Sequence, residues 1–307
     1  MWLGVDIGGA NLKIADGRGF SASRFFPLWQ QPNRLGATLA EMFERATTAR
    51  RLAVTMTGEL ADCFETKSDG VRAILDGLVR AADGRDTWVY LTTGTMVRPV
   101  AAGENPLLAA ASNWHALARF TGRYAREGAA LLIDVGSTTT DLIPLDGGRP
   151  VARGRTDPQR LLHGELVYTG VRRSPVCALV SSLPWRGGRC PTAQEVFATT
   201  WDAYVTLGEL PEQPDARHTA DGRPATKTAA RDRLARSICA DRDMFDGADA
   251  LRAAEVIAGA QAAKVAIAVK QVVRRMSGVP RTVVVSGEGE FLARRMAERL
   301  CPKAKIV

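Results

Sequence analysis

Near its start the chain contains the stretch Asp6-Ile7-Gly8-Gly9-Ala10-Asn11-Leu12-Lys13, and a second stretch of the same type follows as Asp134-Val135-Gly136-Ser137-Thr138-Thr139-Thr140-Asp141. A short apolar run lies before and after each of them. The pattern predicts a strand, a glycine-rich turn and another strand, present twice. A single copy is typical of an ordinary hairpin, but two copies that both follow apolar runs favour a shared binding function.

The residue types in these turns are suited to phosphate. Glycine lets the backbone approach an anion closely, and turn amides and hydroxyls bind phosphate oxygens. The candidate phosphate-binding residues are Gly8, Gly9 and Asn11 in the first turn and Gly136, Ser137, Thr138, Thr139 and Thr140 in the second. Asp6 and Asp134 precede the turns, and we expect them to hold Mg²⁺, which prefers oxygen ligands. With Lys13 as a cationic partner, they are the predicted catalytic residues, and the two turns are expected to grip a polyphosphate from both sides.

Composition and length indicate a globular protein of two domains. The chain has 307 residues, of which 46% are hydrophobic and 24% charged. No apolar run approaches the roughly 20 residues of a membrane span, and no basic leader precedes the first strand, so we expect a cytoplasmic protein without a membrane partner. The five cysteines are odd in number and scattered, which argues against a disulfide framework.

The net charge of +8 permits an anionic partner. The basic residues are dispersed, however, and only 6% of residues are aromatic, so a stacking platform for nucleic acid is not expected. A solvated basic face is the simplest interpretation of this charge. Because phosphate-type turns are already present, we favour an anionic small-molecule substrate and no nucleic acid.

Strand and helix signals alternate along the chain, which predicts an α/β architecture. The polar connection 122–128 separates a first domain, 1–122, from a second, 123–307, with an irregular insertion at about 154–240. Helical spacing is predicted over 35–49, 71–82, 106–120 and 250–276, with a helical stretch near 191–207. Short strands are predicted at 52–56, 88–91, 282–285 and 305–307.

A third glycine-containing loop, Ser286-Gly287-Glu288-Gly289, lies between a predicted strand and a helix. Together with the paired turns it resembles the sugar kinase, Hsp70 and actin superfamily. That resemblance implies a two-lobed actin-like, ribonuclease H-like fold with a nucleotide contacted by Gly287 and Gly289. A tight strand-to-helix turn explains the loop equally well. The second turn most resembles the hydantoinase and oxoprolinase branch. Ala10 departs from the Thr that many members carry, which removes one hydroxyl from the first turn.

Four further stretches resemble one narrower family, the tetrahydromethanopterin-linked one-carbon pathway proteins and the methanofuran-biosynthesis furanylmethanamine synthases. The stretches are Ala53-Val54-Thr55-Met56-Thr57-Gly58-Glu59-Leu60-Ala61-Asp62-Cys63-Phe64, Gly154-Arg155-Thr156-Asp157, Gly164-Glu165-Leu166-Val167-Tyr168-Thr169-Gly170 and Thr219-Ala220-Asp221-Gly222-Arg223-Pro224-Ala225-Thr226-Lys227. The resemblance implies a transferase that joins an aminomethylfuran methyl diphosphate to the phenol oxygen of a tyrosine- or tyramine-derived acceptor and releases pyrophosphate.

This chemistry needs a base for the phenol and cations for the leaving group. Glu165 is the candidate base or amine anchor, and the alternative is a surface helix carboxylate. Thr57 and Glu59 follow a strand at the edge where α/β ligands bind, although Glu59 is also placed to cap the next segment. Arg155, Arg172 and Arg173 suit the acceptor carboxylate, or else lie on a solvated face. The resemblance alone assigns Asp221 to substrate, because its surroundings are typical of a turn.

Two other functions remain open. An ATP-dependent small-molecule kinase or hydantoinase-like hydrolase would use the same turns for a nucleotide. A non-catalytic nucleotide-binding protein of the pathway would share the fold without the reaction. The sequence leaves open whether ATP or ADP binds, which acceptor is used, and whether the chain forms a homo-oligomer.

Overall fold

The computed structural model describes residues 1–307, which form two compact α/β units. The first unit contains Met1–Arg123 and the short segment Gly154–Gln159. The second contains Tyr124–Arg153 and Arg160–Val307. Residues 154–159 therefore pack with the first unit, although the sequence on both sides of them belongs to the second.

The first unit is built on a six-stranded sheet with the strand order β3-β2-β1-β4-β5-β6. Its strands are β1 (Trp2–Gly8), β2 (Asn11–Ala15), β3 (Ser21–Phe25), β4 (Arg51–Thr57), β5 (Asp86–Tyr90) and β6 (Met96–Val97). Its helices are α1 (Leu35–Glu44), α2 (Lys67–Ala82), α3 (Pro99–Glu104), α4 (Pro106–Ala109) and α5 (Asn113–Thr121). The β1–β2 pair is antiparallel, and β4 lies parallel to β1.

The second unit has a sheet with the order β10-β8-β7-β13-β14, and β9 pairs with β8. Its strands are β7 (Ala129–Val135), β8 (Thr140–Asp146), β9 (Arg149–Pro150), β10 (Leu166–Val167), β11 (Ser182–Trp185), β12 (Gly188–Pro191), β13 (Thr282–Ser286) and β14 (Lys305–Ile306). Its helices are α6 (Asp157–His163), which begins in the first unit, α7 (Thr200–Leu207), α8 (Lys227–Arg236), α9 (Gly247–Val273) and α10 (Glu290–Leu300).

Both units contain the same arrangement of strands around a glycine-rich turn. An antiparallel hairpin, β1–β2 or β7–β8, encloses the turn, and the next strand of the sheet, β4 or β13, lies parallel to the first strand of the hairpin. The two strand–turn–strand predictions are therefore confirmed. The turn Asp146-Gly147-Gly148 also joins two paired strands, β8 and β9, with both glycines at positive φ.

The alternation of side chains along β1 explains how the turn after it is supported. Leu3, Val5 and Ile7 are buried in a core with the apolar sides of α1 and α2. Asp6 lies on the opposite face of the same strand because side chains alternate between faces. The core therefore fixes the strand while leaving Asp6 beside the turn.

Helix α9 is the central helix of the second unit. It is capped by Asp246, whose side chain accepts the amide of Asp249. Its 27 residues are long and apolar enough to cross a membrane by length and composition alone, whereas the sequence predicted no apolar run of that length. A buried core helix of a soluble protein meets the same criterion, and the buried apolar residues of α9 lie in two apolar clusters of this unit.

The predicted helix 35–49 is too long, because α1 ends at Glu44, and two other helix predictions were also wrong in extent. The predicted helix 106–120 is broken into α4 and α5, because Ala111 has a positive φ of 46° and the amide of Ser112 donates to Met56 in β4. The predicted helical stretch 191–207 starts only at Thr200, where Thr199 forms a capping box with Asp202. A contact distant in sequence thus set the first of these boundaries, and a local capping box set the second.

Candidate functional site

The first part of the candidate site is the turn between β1 and β2. The carbonyl oxygens of Gly9 and Ala10 accept the amides of Leu28 (3.0 Å) and Phe26 (2.9 Å). The acceptors of this turn are thus already satisfied by the segment that follows β3. A turn whose carbonyl groups are occupied presents mainly donors, which suits an anion.

Close backbone contacts explain the glycines around this turn. A β-carbon on Gly8 would lie 2.8 Å from the carbonyl oxygen of Asn11, and one on Gly58 would lie 2.6 Å from Leu28. The Thr57 hydroxyl lies 3.5 Å from the position of the same Gly8 β-carbon. The structure therefore brings Thr57 to the first turn together with Gly8 and Asn11.

Asp6 is the acidic residue of the first turn. Its carboxylate accepts the Thr55 hydroxyl at 3.1 Å and lies 3.9 Å from the ammonium of Lys13. Burial raises the pKa of Asp6, and the Lys13 charge and the Thr55 hydrogen bond only partly oppose that rise. A cation brought to this carboxylate would therefore favour its ionised form.

Glu59 lies in a second polar group of the first unit. Its side chain is 1% exposed, with Oε1 3.8 Å from the ammonium of Lys67. The same ammonium donates to Asp157 at 2.6 Å. The other oxygen of Glu59 is buried without a hydrogen-bond partner. Burial raises the pKa of Glu59, so this carboxyl holds a proton at a higher pH than an exposed glutamate.

The second turn, between β7 and β8, is supported by the segment 169–173. The carbonyl oxygen of Gly136 accepts the amide of Val171 at 3.0 Å, and that of Ser137 accepts the amide of Arg172 at 3.0 Å. The Thr140 hydroxyl donates to the carbonyl oxygen of Thr169 at 2.8 Å and is fully buried. Thr140 therefore supports the turn. The hydroxyls of Ser137, Thr138 and Thr139 remain as candidate donors to phosphate.

Gly170 packs directly on this turn. A β-carbon there would lie 2.5 Å from the carbonyl carbon of Ser137 and from the amide nitrogen of Thr138. The buried amide of Gln261 donates to the carbonyl oxygen of Gly170 and to the Thr169 hydroxyl, both at 2.8 Å. Helix α9 therefore holds the segment that shapes the second turn.

The Gly287–Gly289 loop lies against the end of β7. Gly287 has a positive φ of 95°, and a β-carbon on it would lie 2.7 Å from a carboxylate oxygen of Asp134. The amide of Gly289 donates to the carbonyl oxygen of Val135 at 2.8 Å and begins α10. The loop is therefore a tight strand-to-helix turn that touches Asp134. These contacts within the unit are enough to explain why both positions are glycine. Contact of Gly287 and Gly289 with a nucleotide stays a prediction.

Arg172 is engaged within the second unit. Its guanidinium donates to Glu288 at 2.6 Å and to Gln213 at 3.2 Å, and it lies 4.2 Å from the ring centroid of Trp201. Burial together with the charges of Arg172 and Arg173 lowers the pKa of His218. Binding of an acceptor carboxylate by Arg172 would therefore add to, or replace, an existing ion pair.

The remaining predicted residues lie in three different settings. Glu165 is 2% exposed and accepts the amide of Arg153 at 2.7 Å, so the alternative of a surface helix carboxylate is wrong. Arg155 is exposed in the segment that packs with the first unit. Asp221 accepts hydrogen bonds from Arg223 at 2.7 Å and from Arg233 at 2.9 Å.

The sequence of residues 50–305 matches the family described as hydantoinase/oxoprolinase. A synthase of Methanocaldococcus jannaschii is 35% identical over 247 residues, which is 80% of this chain and 73% of the relative. The chain belongs to the hydantoinase/oxoprolinase family. The relative is named (4-{4-[2-(gamma-L-glutamylamino)ethyl]phenoxymethyl}furan-2-yl)methanamine synthase, so the resemblance to the furanylmethanamine synthases is confirmed.

A second synthase of that name, from Methanococcus vannielii, is 32% identical over 124 residues, covering 40% of this chain and 55% of the relative. Among solved structures, a PilM-PilN type IV pilus biogenesis complex aligns with a TM-score of 0.50 at 15% identity, covering 99% of this chain and 87% of that chain. That likeness concerns the fold alone. The two-lobed actin-like fold is confirmed, and the chain is a biosynthetic enzyme of the transferase type.

The donor set of this hydantoinase/oxoprolinase family member fits Mg²⁺ shared with a bound phosphate. No group of three or more His, Cys, Asp or Glu side chains is placed to hold a metal by itself. Mg²⁺ is usually held by one or two carboxylates together with substrate phosphates and water. Asp6, whose partly buried carboxyl a cation would ionise, meets that requirement on the first turn, and Asp134 is the corresponding residue on the second.

Sequence reasoning missed Thr55, Lys67, Asp157 and Gln261. Lys67 follows Thr66, whose hydroxyl accepts the amide of Asp69, and this spacing is a signal for a helix start. Gln261 is fully buried in α9, and a lone glutamine on an apolar helical face was a signal for a buried polar contact. The pairings of Thr55 with Asp6 and of Lys67 with Asp157 had no local signal.

Proposed function

We propose that this enzyme joins an aminomethylfuran methyl diphosphate to the phenol oxygen of a tyrosine- or tyramine-derived acceptor. The phenol oxygen forms a bond to the furan methylene carbon, the bond from that carbon to the diphosphate oxygen breaks, and pyrophosphate leaves. The phenol proton passes to a carboxylate. The observation that carries the proposal is the 35% identity to a synthase whose name specifies a product with this phenoxymethyl-furan linkage.

The first turn supports a diphosphate site. Its carbonyl groups are satisfied from outside, and Lys13, with a 61% exposed side chain, is free to approach an anion. Mg²⁺ on Asp6, when bound, would neutralise charge on the leaving pyrophosphate. The ammonium of Lys13 would do the same through a direct contact. Within the second unit, the second turn offers the same kinds of group, with Asp134 and the hydroxyls of Ser137, Thr138 and Thr139.

Two buried carboxyls are candidates for the base. Glu165, the candidate base predicted from the sequence, is fixed by the amide of Arg153. Glu59 has a raised pKa and one oxygen without a partner. A raised pKa brings a carboxyl closer to the range in which it takes up a proton during the reaction. For the acceptor carboxylate we propose Arg155, with Arg172 and Asp221 as further contacts on the substrate.

The test is a reaction of the purified protein with the furan diphosphate, Mg²⁺ and an acceptor. Tyrosine, tyramine and γ-glutamyltyramine are compared, pyrophosphate release is measured, and the ether is identified by mass spectrometry. We expect release that depends on the acceptor and one equivalent of ether per pyrophosphate. A Lys13→Ala variant should release pyrophosphate at least tenfold more slowly. ATP turnover without the furan diphosphate would instead establish the kinase or hydrolase alternative.

A further inference from the structure

The first unit has a pocket on the face of its sheet that carries Asp6. The pocket has a volume of about 650 Å³ and lies beside α5. That size is within the range of about 300–1,000 Å³ that is typical of small-molecule sites. The opposite face of the sheet is buried by α1 and α2, so this pocket lies outside the core.

The floor of the pocket is made of three very small residues. Gly4 of β1 is paired with Ala15 of β2 on one side and with Ala53 of β4 on the other. All three line the pocket. Because paired residues point to the same face of a sheet, a hydrogen atom and two methyl groups form one flat row. Such a surface fits the face of a planar ring.

One end of the pocket is polar. The next row on this face lies two residues further along each strand and consists of Lys13, Asp6 and Thr55. All three also line the pocket. Two residues of a strand span about 7 Å. A ring lying on the floor would therefore place a charged substituent one or two bonds away beside Lys13 and the first turn.

The wall on the β5 and β6 side of the pocket is apolar and aromatic. Tyr90 and Met96 line the pocket, and the Tyr90 hydroxyl is hydrogen-bonded to Nδ1 of His115 at 2.9 Å. The ring of Tyr90 is thus held in place by a partner in α5. A fixed aromatic side chain and a polarisable thioether are suitable contacts for a flat π-system.

We propose that this pocket binds the furan ring of the diphosphate substrate, with the ring on the Gly4, Ala15 and Ala53 floor and the diphosphate at Lys13. The assignment rests on the proposed function for the identity of the ring. It makes the small side chains of Ala15 and Ala53 specificity determinants, because a larger residue at either position would occupy the space of the ring.

The experiment compares two ligands by titration calorimetry in the presence of Mg²⁺. One is inorganic pyrophosphate, and the other is a furylmethyl diphosphate analogue in which carbon replaces the scissile ester oxygen. Ala15→Leu and Ala53→Leu fill the floor from the pocket side and leave the core side of each strand unchanged. Ala263→Leu is the matched control, because Ala263 is exposed on α9 in the other unit.

We expect each floor variant to weaken binding of the furan analogue at least tenfold and to change pyrophosphate affinity less than twofold. The control should change neither affinity. Unchanged affinity for the analogue in both floor variants overturns the ring assignment, even if the wild-type protein forms the ether. An equal loss of affinity for both ligands also overturns the ring assignment, because the substitutions would then have disturbed the first turn. If the floor variants lose affinity only for the furan analogue and the wild-type protein forms no ether, the ring assignment holds and the proposed reaction is overturned.

Discussion

The ammonium of Lys67 lies 2.6 Å from a carboxylate oxygen of Asp157, although 90 positions separate the two residues. Both belong to the first unit, because residues 154–159 pack there. The same ammonium lies 3.8 Å from buried Glu59. Two of the stretches that resemble the furanylmethanamine synthases are thus joined by one lysine that belongs to neither.

Replacing Lys67 with methionine should destabilise the protein by about 1–3 kcal/mol, because it leaves two carboxyl groups without their cation. Urea denaturation followed by circular dichroism measures the change. Lys303→Met removes an exposed lysine and should be neutral within about 0.5 kcal/mol. Equal stability of the two variants would show that the Lys67 group contributes nothing to folding.

Replacing Gly170 with alanine should reduce turnover at least tenfold while most secondary structure is retained. The added β-carbon would lie 2.5 Å from backbone atoms of Ser137 and Thr138, so the second turn must move. Gly278→Ala is the matched control, because no atom lies within 4 Å of the β-carbon position at Gly278. Wild-type turnover in Gly170→Ala would mean that the shape of the second turn does not matter for the reaction.

Replacing Asp134 with alanine should abolish turnover and preserve the fold. The residue is the last but one of β7, beside the second turn, where we expect it to act on metal or phosphate. Pyrophosphate release and far-ultraviolet circular dichroism are measured on the same sample. A folded variant with normal turnover would remove Asp134 from the proposed site.

Pyrophosphate with Mg²⁺ should stabilise the folded protein. A ligand that binds only the native state at a hundredfold excess over its Kd adds about 2–3 kcal/mol to the free energy of unfolding. A thermal-shift series with pyrophosphate, ADP and ATP measures this effect, and Lys13→Ala should reduce the shift with pyrophosphate. A large shift with ATP and none with pyrophosphate would favour the kinase alternative.

Asp221 should contribute to stability above about pH 4. Burial opposes ionisation, but hydrogen bonds from Arg223 and Arg233 lower its pKa from 3.8 to about 2. A carboxyl with a lowered pKa in the folded state stabilises that state when it is ionised, and this contribution is lost as the pH falls through about 2. Asp221→Asn should therefore lower stability at pH 7 and flatten its decline in acid.

Denaturant titrations between pH 2 and pH 7 measure the dependence for Asp221→Asn. Asp215→Asn, at an exposed position of the same connection, is the control. Parallel stability curves for Asp221→Asn and the wild-type protein would contradict the assigned pKa.

Sequence patterns were sufficient to predict those elements whose signal lies within the element itself. The hairpins around Gly8 and Gly136 and the long helix α9 followed from apolar periodicity and glycine placement. The break at Ala111 did not, because the amide of Ser112 is bonded to Met56, which is distant in sequence. Phosphate binding by the turns and the roles assigned to Glu165 and Asp221 stay predictions.

By itself, the sequence determined the duplicated α/β arrangement, because strand alternation and turn glycines act within a few residues of one another. It also determined the family, because long stretches such as residues 53–64 are specific. Only the tertiary structure decided that Lys67 meets Glu59 and Asp157, that Gly170 presses on the second turn, and that Gly4, Ala15 and Ala53 form one floor. These contacts depend on strand register and on chain segments that are far apart in sequence, and no local pattern encodes either.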